Sequence, residues 1–394
     1  MTPLPEKLVC VSGAAQSEVA RPSPRSALQL TADACLAAIA DAGLDVSEID
    51  GIATYPGKSS EGGGIAPVSP SEATAMLGLN PRWILASSEG FSHMAPIFNA
   101  VTAIACGLAR HVVVFRTVAQ ASARRQARAS TLMVGGGDRV DGNNAWTVPF
   151  GALSPVNTFA LYAQAYCDRY RATAEQLGAL AVSSRAHAAR NPAAIYRDPI
   201  TLDDYLAART ISSPLRLYDC DVHVDGATAL VLSHRDASRD LRRPPIHLEA
   251  MGMAVGGLWT GQHEGDFTSL PGAARAGEML WSRTDLTPGQ IDCAQIYDGF
   301  SIFVWLWLEA LRLVEPGEAC RFTEGGHRIG LTGELPLNTG GGQLSAGRLH
   351  GYGHIHEACI QLWGLGGDRQ VAGARTAIVS NGGYGYGAML LRRE

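Results

Sequence analysis

The stretch that decides the fold is 293–313, which reads CAQIYDGFSIFVWLWLEALRL. Its first four residues form a short apolar run typical of a buried strand, and 301–313 is an apolar run that predicts a helix. Tyr297 and Asp298 stand between the two elements. Because ligands of α/β proteins bind at the carboxyl ends of strands, both side chains are candidates for a site. The structural alternative is that Asp298 caps the helix and Tyr297 closes the core.

The same alternation of strand and helix recurs on both sides of this stretch. It predicts two similar α/β units in tandem, residues 1–235 and 245–394, with an inserted loop and helical subdomain over about 119–214. A helix is predicted from Ser26 to a glycine cap at Gly43. The other predicted elements are strands at 8–13, 83–86, 112–115, 227–232, 246–250, 376–380 and 388–391, and helices at 91–109 and after His354.

Composition excludes several classes of function. A chain of 394 residues that is 46% apolar can bury at least one large core. The formal net charge of -5, without a long basic run, argues against binding to nucleic acid or an anionic membrane. Eight cysteines without a CxxC pair indicate reduced thiols, so we expect a cytoplasmic protein. We expect neither export nor membrane insertion, because no apolar segment has the required form.

A first candidate for chemistry is Ser87-Ser88-Glu89-Gly90, where a strand gives way to a buried helix. The free N–H groups of a helix N-terminus favour an anion, so Ser87 is a candidate nucleophile or binding residue. The local sequence offers only His93 as a base for it. The alternative is that Ser87 or Ser88 simply caps the helix.

A second candidate is the glycine-rich segment 338–357, whose tight turns can direct a few large polar side chains into one space. Arg348, His350 and Tyr352 are the side chains of interest, and a solvated surface loop is the alternative. The histidines at 350, 354 and 356 match no specific zinc pattern, so we predict no metal site.

Two further features complete the candidates. Residues 380–387 lie between predicted strands and favour a hairpin, in which backbone N–H groups near Gly382 and Gly383 could line a site. Arg124, Arg125 and Arg128 form a basic cluster that suits a coenzyme A phosphate or, alternatively, a solvated helix face.

In this order the segments resemble the thiolase superfamily over nearly the whole chain, most closely its sterol-carrier or lipid-transfer-protein branch. The resemblance is carried by PLRLYDC at 214–220 with DGA at 225–227, YDGF at 297–300, NTGG at 338–341 and NGG at 381–383. It implies an α/β, thiolase-like fold of two tandem βαβαβαββ-type units with five-stranded mixed sheets.

The departures from the thiolase pattern concern the catalytic groups. Serine stands at Ser87–Ser88 where a thiolase has its acylated cysteine, Arg348 stands where it has a histidine, and Ser380 replaces a second cysteine. A serine hydroxyl lacks the acidity of a thiol, so conventional thiolase chemistry is not expected. The pattern resembles the thiolase-like aldolases that cleave a 17-hydroxy steroid acyl-CoA to a 17-ketosteroid and propionyl-CoA or acetyl-CoA.

Such a retro-aldol step needs a base and stabilisation of an enolate but no acyl-enzyme. We predict Tyr352 as the base and Tyr297 as its assistant or as the acid, with Arg348 as a candidate for lowering the phenol pKa. Asp298, His350 and Ser87 would support the site, and N–H groups near Gly382 and Gly383 would hold the thioester oxygen.

The resemblance also implies partners. We expect a homodimer bound to a small OB-fold protein with a zinc ribbon, as a heterotetramer, with coenzyme A entering only as the substrate thioester and no tightly bound cofactor. Two alternatives stay open. One is an acyltransferase of the same superfamily, which would normally need the missing cysteine, and the other is a non-catalytic protein that binds lipid acyl-CoA.

Overall fold

The structure is a computed structural model that describes residues 3–58, 64–86, 92–126, 145–256, 266–382 and 385–394. Its strands are β1 (Val9–Gln16), β2 (Gly51–Thr54), β3 (Trp83–Ala86), β4 (His111–Ala119), β5 (Thr210–Ser212), β6 (Leu215–Arg216), β7 (Asp225–His234), β8 (Ile246–Val255), β9 (Cys293–Gln295), β10 (Thr376–Asn381) and β11 (Gly385–Arg393). Its helices are α1 (Ala27–Ala42), α2 (Pro70–Leu77), α3 (Ala95–Ala105), α4 (Gln120–Gln126), α5 (Pro155–Tyr170), α6 (Ala174–Ala188), α7 (Leu202–Ala207), α8 (Pro271–Trp281), α9 (Ser301–Ala310), α10 (Ala319–Thr323) and α11 (Tyr352–Trp363).

Nine strands form one mixed sheet in the order β3-β2-β4-β7-β1-β8-β11-β10-β9. Strand β2 is parallel to β3 and β4, and β9 is parallel to β10, while the other pairs are antiparallel. Cys10 of β1 pairs with His247 of β8, and this contact joins the two halves. Within the described ranges the first half contributes five strands and the second contributes four. The predicted α/β class with mixed sheets is confirmed.

The two halves share a central core. Helices α3 and α11 bury their apolar side chains against strands of both halves, as Phe98, Ile355, Leu230 and Leu391 illustrate. Helix α1 packs on the other side of the first half, and α8 and α9 pack with the second. The start of α11 therefore lies deep inside the protein, next to strand ends from both units.

Helix ends follow local chemistry. The Ser26 side chain accepts a hydrogen bond from the Gln29 N–H, and Gly43 closes α1 at φ +75°, both as predicted. Helix α3 is shorter than predicted, because Pro96 stands in its first turn and Gly107 adopts φ +73° beyond its end.

The chain between β4 and β7 is mainly helical where it is described. It contains α4 to α7 and the β5–β6 pair, and the Phe159 ring of α5 lies 4.3 Å from the Phe303 ring of α9. The boundaries near 119, 214, 235 and 245 stay a proposed division. Of the helices in the described ranges, none combines the length and apolarity needed to cross a bilayer.

Candidate active site

Tyr352 is the first residue of α11, and its phenol is fully buried. The backbone before it is held in the left-handed region, with φ +51° at His350 and +83° at Gly351. A Cβ at Gly351 would lie 1.9 Å from the Asn381 side-chain nitrogen, so the turn requires glycine. The Tyr352 hydroxyl has no hydrogen-bond partner among the described residues. Burial raises its pKa, and the charge of Arg116 opposes that rise.

Tyr297 follows β9 and is 7% exposed. The Tyr297 N–H donates to the Ser380 Oγ at 3.1 Å, which ties the turn to β10. The Asn338 side chain accepts from the Ile296 N–H at 2.7 Å and donates to the Ile296 carbonyl at 2.9 Å. Burial raises the pKa of Tyr297 to about 12, partly opposed by the charge of Arg348. Tyr297 is therefore a phenol that carries its proton at neutral pH.

Arg116 of β4 lies beside both phenols and was not predicted from the sequence. It is 1% exposed, and its Nη1 donates to the Tyr55 carbonyl at 2.6 Å. Its Nη2 bonds the Nδ1 of His350. His350 stands two residues before Tyr352, and the His93 ring lies against both the His350 and the Tyr297 rings, so contacts connect the guanidinium with both phenols. The available signal was a lone arginine in the apolar run 111–119.

Two histidines complete this cluster. The His93 ring lies 4.9 Å from the His350 ring and 6.5 Å from the Tyr297 ring. Asn381 holds both, since its Oδ1 lies 2.9 Å from the His93 Nδ1 and its Nδ2 donates to the His350 carbonyl at 2.8 Å. Burial and then the charge of Arg116 lower the pKa of His93 to about 3 and that of His350 well below its usual range. Both rings are therefore neutral.

Asp298 is a buried support of the loop that presents Tyr352. Its carboxylate accepts from the Gln343 N–H at 2.9 Å, and His354 Nε2 lies 2.8 Å from it. The structural alternative that Asp298 caps α9 is wrong, because Phe300 holds the cap position and no side chain bonds there. The Gln343 Oε1 in turn accepts from the Gly351 N–H at 3.0 Å, directly before Tyr352.

Arg348 lies at the more open side of the site. Its Nε is 3.2 Å from Asp221, and its Nη1 is 2.9 Å from the His223 Nε2. Burial raises the pKa of Asp221 to about 6, and Arg348 opposes this rise. Burial and the charges of Arg348 and Arg124 lower the pKa of His223 to about 3. Among the two predicted tyrosines, the charge of Arg348 acts on Tyr297, whereas Arg116 acts on Tyr352.

The other predicted residues divide into two groups. Arg124 and Arg125 are exposed on α4, and the Gly382 carbonyl accepts from the Trp307 Nε1 at 3.0 Å. Strands β10 and β11, on either side of the predicted hairpin turn, pair antiparallel with Asn381 opposite Gly387. Ser87, Gly383 and Arg128 lie outside the described residues.

The assembled site offers phenols, guanidinium groups and neutral imidazoles. The His350 ring bonds Arg116 and the His354 ring bonds Asp298, so these two imidazoles have different partners. All eight cysteines are free thiols, and none belongs to the cluster that the described site residues form. This arrangement can hold and move protons and stabilise an anion, and among its described residues no cysteine stands ready to form an acyl-enzyme.

Comparison with known proteins gives a consistent family. Residues 259–390 match the family model described as thiolase C-terminal domain-like. The chain is 32% identical over 376 residues to 17-hydroxy-3-oxo-4-pregnene-20-carboxyl-CoA lyase of Mycobacterium tuberculosis, covering 94% of this chain and 95% of that one. It is 34% identical over 354 residues to a steroid side-chain-cleaving aldolase of Thermomonospora curvata, covering 88% of each.

Solved structures agree with this grouping. The Ltp2-ChsH2(DUF35) aldolase superposes with a TM-score of 0.86 at 30% identity, covering 98% of both chains. A monomeric SCP2-thiolase-like protein of Mycobacterium smegmatis, at TM-score 0.72 and 17% identity over 100% of this chain and 78% of that one, shares the fold. This chain therefore belongs to the thiolase superfamily and, within it, to the family of thiolase-like aldolases that these relatives represent.

Proposed function

We propose that this protein is a thiolase-like lyase that cleaves a 17-hydroxy steroid side-chain acyl-CoA to a 17-ketosteroid and propionyl-CoA or acetyl-CoA. The observation that carries the proposal is the pair of buried phenols, Tyr297 and Tyr352, in a site whose described residues include no thiol. The named relatives act as steroid lyase and aldolase, which supports the same substrate class here.

The reaction needs two proton transfers and one bond cleavage. The phenolate of Tyr352 takes the proton of the substrate's tertiary hydroxyl, and the oxygen electrons form the ketone. The bond between this carbon and the α-carbon of the thioester breaks, and its electron pair becomes the thioester enolate. Protonation of the α-carbon, for which Tyr297 is the proposed donor, completes the acyl-CoA product.

The surroundings suit these roles. Tyr352 begins α11, and its buried hydroxyl has no hydrogen-bond partner among the described residues, so it is available to a substrate hydroxyl. Burial raises the pKa of both phenols, so Tyr297 retains a proton to give, and Tyr352 must lose its own proton before it acts as the base. Backbone N–H groups near Gly382 and Gly383 would hold the enolate oxygen, and Ser87 and His350 would support the pocket.

We also assign the coenzyme A phosphates to the basic side chains near the site. Arg124 and Arg125 are exposed on α4, with Arg128 following them in sequence, and the charge of Arg124 acts on His223 beside Arg348. Phosphate oxygens accept charge-assisted hydrogen bonds from guanidinium groups. Coenzyme A enters with the substrate, and no tightly bound cofactor is required.

The proposed assembly is a homodimer that binds a small OB-fold, zinc-ribbon protein. Its support is the structural relative, the Ltp2-ChsH2(DUF35) aldolase, whose name joins Ltp2 to a DUF35 protein. Eight free cysteines support work in the reducing cytoplasm.

The test is product analysis by mass spectrometry after incubating the protein with a 17-hydroxy steroid acyl-CoA, with and without a DUF35-type partner. A 17-ketosteroid together with propionyl-CoA or acetyl-CoA is the expected outcome. Intact substrate with acyl transfer from a simple donor would support an acyltransferase, and tight binding alone would support a lipid-binding protein.

A further inference from the structure

Arg116 is a buried cation without an anionic partner in the described residues. It lies in β4, where the neighbouring strand residues Phe115 and Thr117 are also buried. Burial of a charge is costly unless an opposite charge or several hydrogen bonds compensate it. Its described hydrogen bonds go to the Tyr55 carbonyl and the His350 ring, both neutral, and its Nε has none.

Two half-buried arginines of this chain have carboxylate partners. Arg283 makes an ion pair with Glu6 at a separation of 2.5 Å, and Arg369 makes one with Glu357 at 3.0 Å. Arg116 has no carboxylate within ion-pair distance in the described part of the chain, and neither has Arg185, whose guanidinium lies over the Tyr196 and Tyr218 rings instead. The site of Arg116 therefore has one positive charge that is free to stabilise an anion formed during the reaction.

The groups around Arg116 limit which anion this can be. His350 and His93 stay neutral because burial and Arg116 itself lower the pKa of each ring. The titratable groups that face Arg116 are the phenols of Tyr352 (start of α11), Tyr55 (after β2) and Tyr297 (after β9), the guanidinium of Arg348, and the imidazoles of His350 and His93.

Among the phenols, Tyr352 is the one for which this charge matters most. Arg116 bonds the ring of His350, two residues before Tyr352, and its charge opposes the rise in the Tyr352 pKa caused by burial. The Tyr352 hydroxyl is fully buried and has no hydrogen bond to a described residue, so no other group there compensates a negative oxygen. For Tyr297, in contrast, Arg348 is the positive charge that opposes the rise of the pKa caused by burial.

We propose that Arg116 is the buried counter-charge of the Tyr352 phenolate, a positioning residue that makes this tyrosine a base and fixes the loop that presents it. The second role rests on the bond from its Nη2 to the His350 Nδ1, two residues before Tyr352. The inference rests on the proposed function, since it assigns the base of that reaction to a charged partner.

The kinetic test compares Arg116→Met and Arg116→Lys with the unmodified protein in the presence of its partner. Arg116→Met should lower kcat at pH 7 at least tenfold with little change in KM, and displace the curve of log kcat against pH by one unit or more to higher pH. Arg116→Lys keeps the charge and should recover part of both effects. An unshifted pH profile in both variants would overturn the proposal.

A control separates this role from a structural one. Arg283→Met leaves the buried Glu6 carboxylate without its partner, so it should destabilise the fold without moving the pH profile. A rescue experiment distinguishes the two roles in a second way. Difluorotyrosine has an intrinsically more acidic phenol than tyrosine, so its incorporation at position 352 should restore activity to Arg116→Met. Absence of rescue would mean that Arg116 acts only on structure.

A spectroscopic test does not depend on turnover. The pKa of the difluorotyrosine at position 352, measured by fluorine NMR without substrate, should be lower by one unit or more with Arg116 present than in Arg116→Met. An equal pKa would refute the inference even in an active enzyme. A shifted pKa in a protein that cleaves no steroid acyl-CoA would instead refute the proposed function and leave the charge pairing intact.

Discussion

Replacement of Tyr352 by phenylalanine removes only the hydroxyl group, and it should affect the catalytic rate and the stability of the fold differently. The hydroxyl is fully buried and has no described hydrogen-bond partner, so its removal breaks no known internal bond. An unsatisfied buried polar group costs about 1–3 kcal/mol, so Tyr352→Phe should leave the free energy of unfolding unchanged or raise it within that range. The catalytic rate should fall by about 10²–10⁴-fold, because that is what general base catalysis contributes. That range corresponds to about 2.7–5.4 kcal/mol in the activation free energy.

The assay is steady-state formation of the ketosteroid, together with urea unfolding of the same preparations. Tyr205→Phe is the matched control, because the Tyr205 hydroxyl donates to Asp219 at 2.9 Å inside the core. It should lose about 1–3 kcal/mol of stability while the folded fraction retains its turnover. Turnover by Tyr352→Phe within a factor of three of the unmodified protein would refute the assignment of Tyr352 as the base.

Three other perturbations follow from the same structure. Asp298→Asn replaces a buried carboxylate that accepts backbone N–H groups, and should cost about 1–3 kcal/mol in urea unfolding and lower kcat; unchanged stability would contradict its supporting role. Gly364→Ala, at φ +73° with no neighbouring atom near the added Cβ, should lower the free energy of urea unfolding by about 1–2 kcal/mol. Gly351→Ala should lower it clearly more, because its Cβ would lie 1.9 Å from the Asn381 side-chain nitrogen. Equal losses in the two variants would contradict this turn geometry. Burial and then nearby guanidinium charges lower the pKa of His93 and His223 to about 3, whereas the unfolded value is about 6.5. The unfolded chain therefore binds more protons between these values, and the free energy of unfolding should fall as pH decreases from 6.5 towards 3; a flat stability curve across pH 4–6 would count against neutral buried histidines.

Much of the fold was predictable because its signals are local. The capped helix α1 and the strand-to-helix transition at 293–301 depend on residues that are neighbours in sequence. The union of both halves into one sheet was not predictable, because it depends on the pairing of Cys10 with His247. Helix α9 ends at Ala310, earlier than predicted, and Arg312 just beyond it adopts φ +55°, which no local pattern indicated.

The site was predictable only where it follows motifs. Tyr297 and Tyr352 came from motif positions, and the structure connects them through the His93 and His350 rings. The role of Arg116 in the site was not predictable, because its bonded partner His350 is 234 residues away in sequence. A single arginine in an apolar run does not indicate which residues it contacts. The sequence analysis made Arg348 the candidate for lowering the pKa of the base, Tyr352. In the structure Arg348 pairs with Asp221, and its charge opposes the rise in the Tyr297 pKa caused by burial; both depend on the tertiary arrangement.

In the proposed reaction the carbon–carbon bond breaks to give an enolate, which receives its proton from an exchangeable group. The most direct measurement is the deuterium content of the acyl-CoA product when the cleavage runs in D2O with the partner protein present. We expect one deuterium at the α-carbon of propionyl-CoA or acetyl-CoA and none in the 17-ketosteroid, because the phenol protons exchange with solvent before transfer. An acyl-CoA product that carries no deuterium would contradict the retro-aldol mechanism.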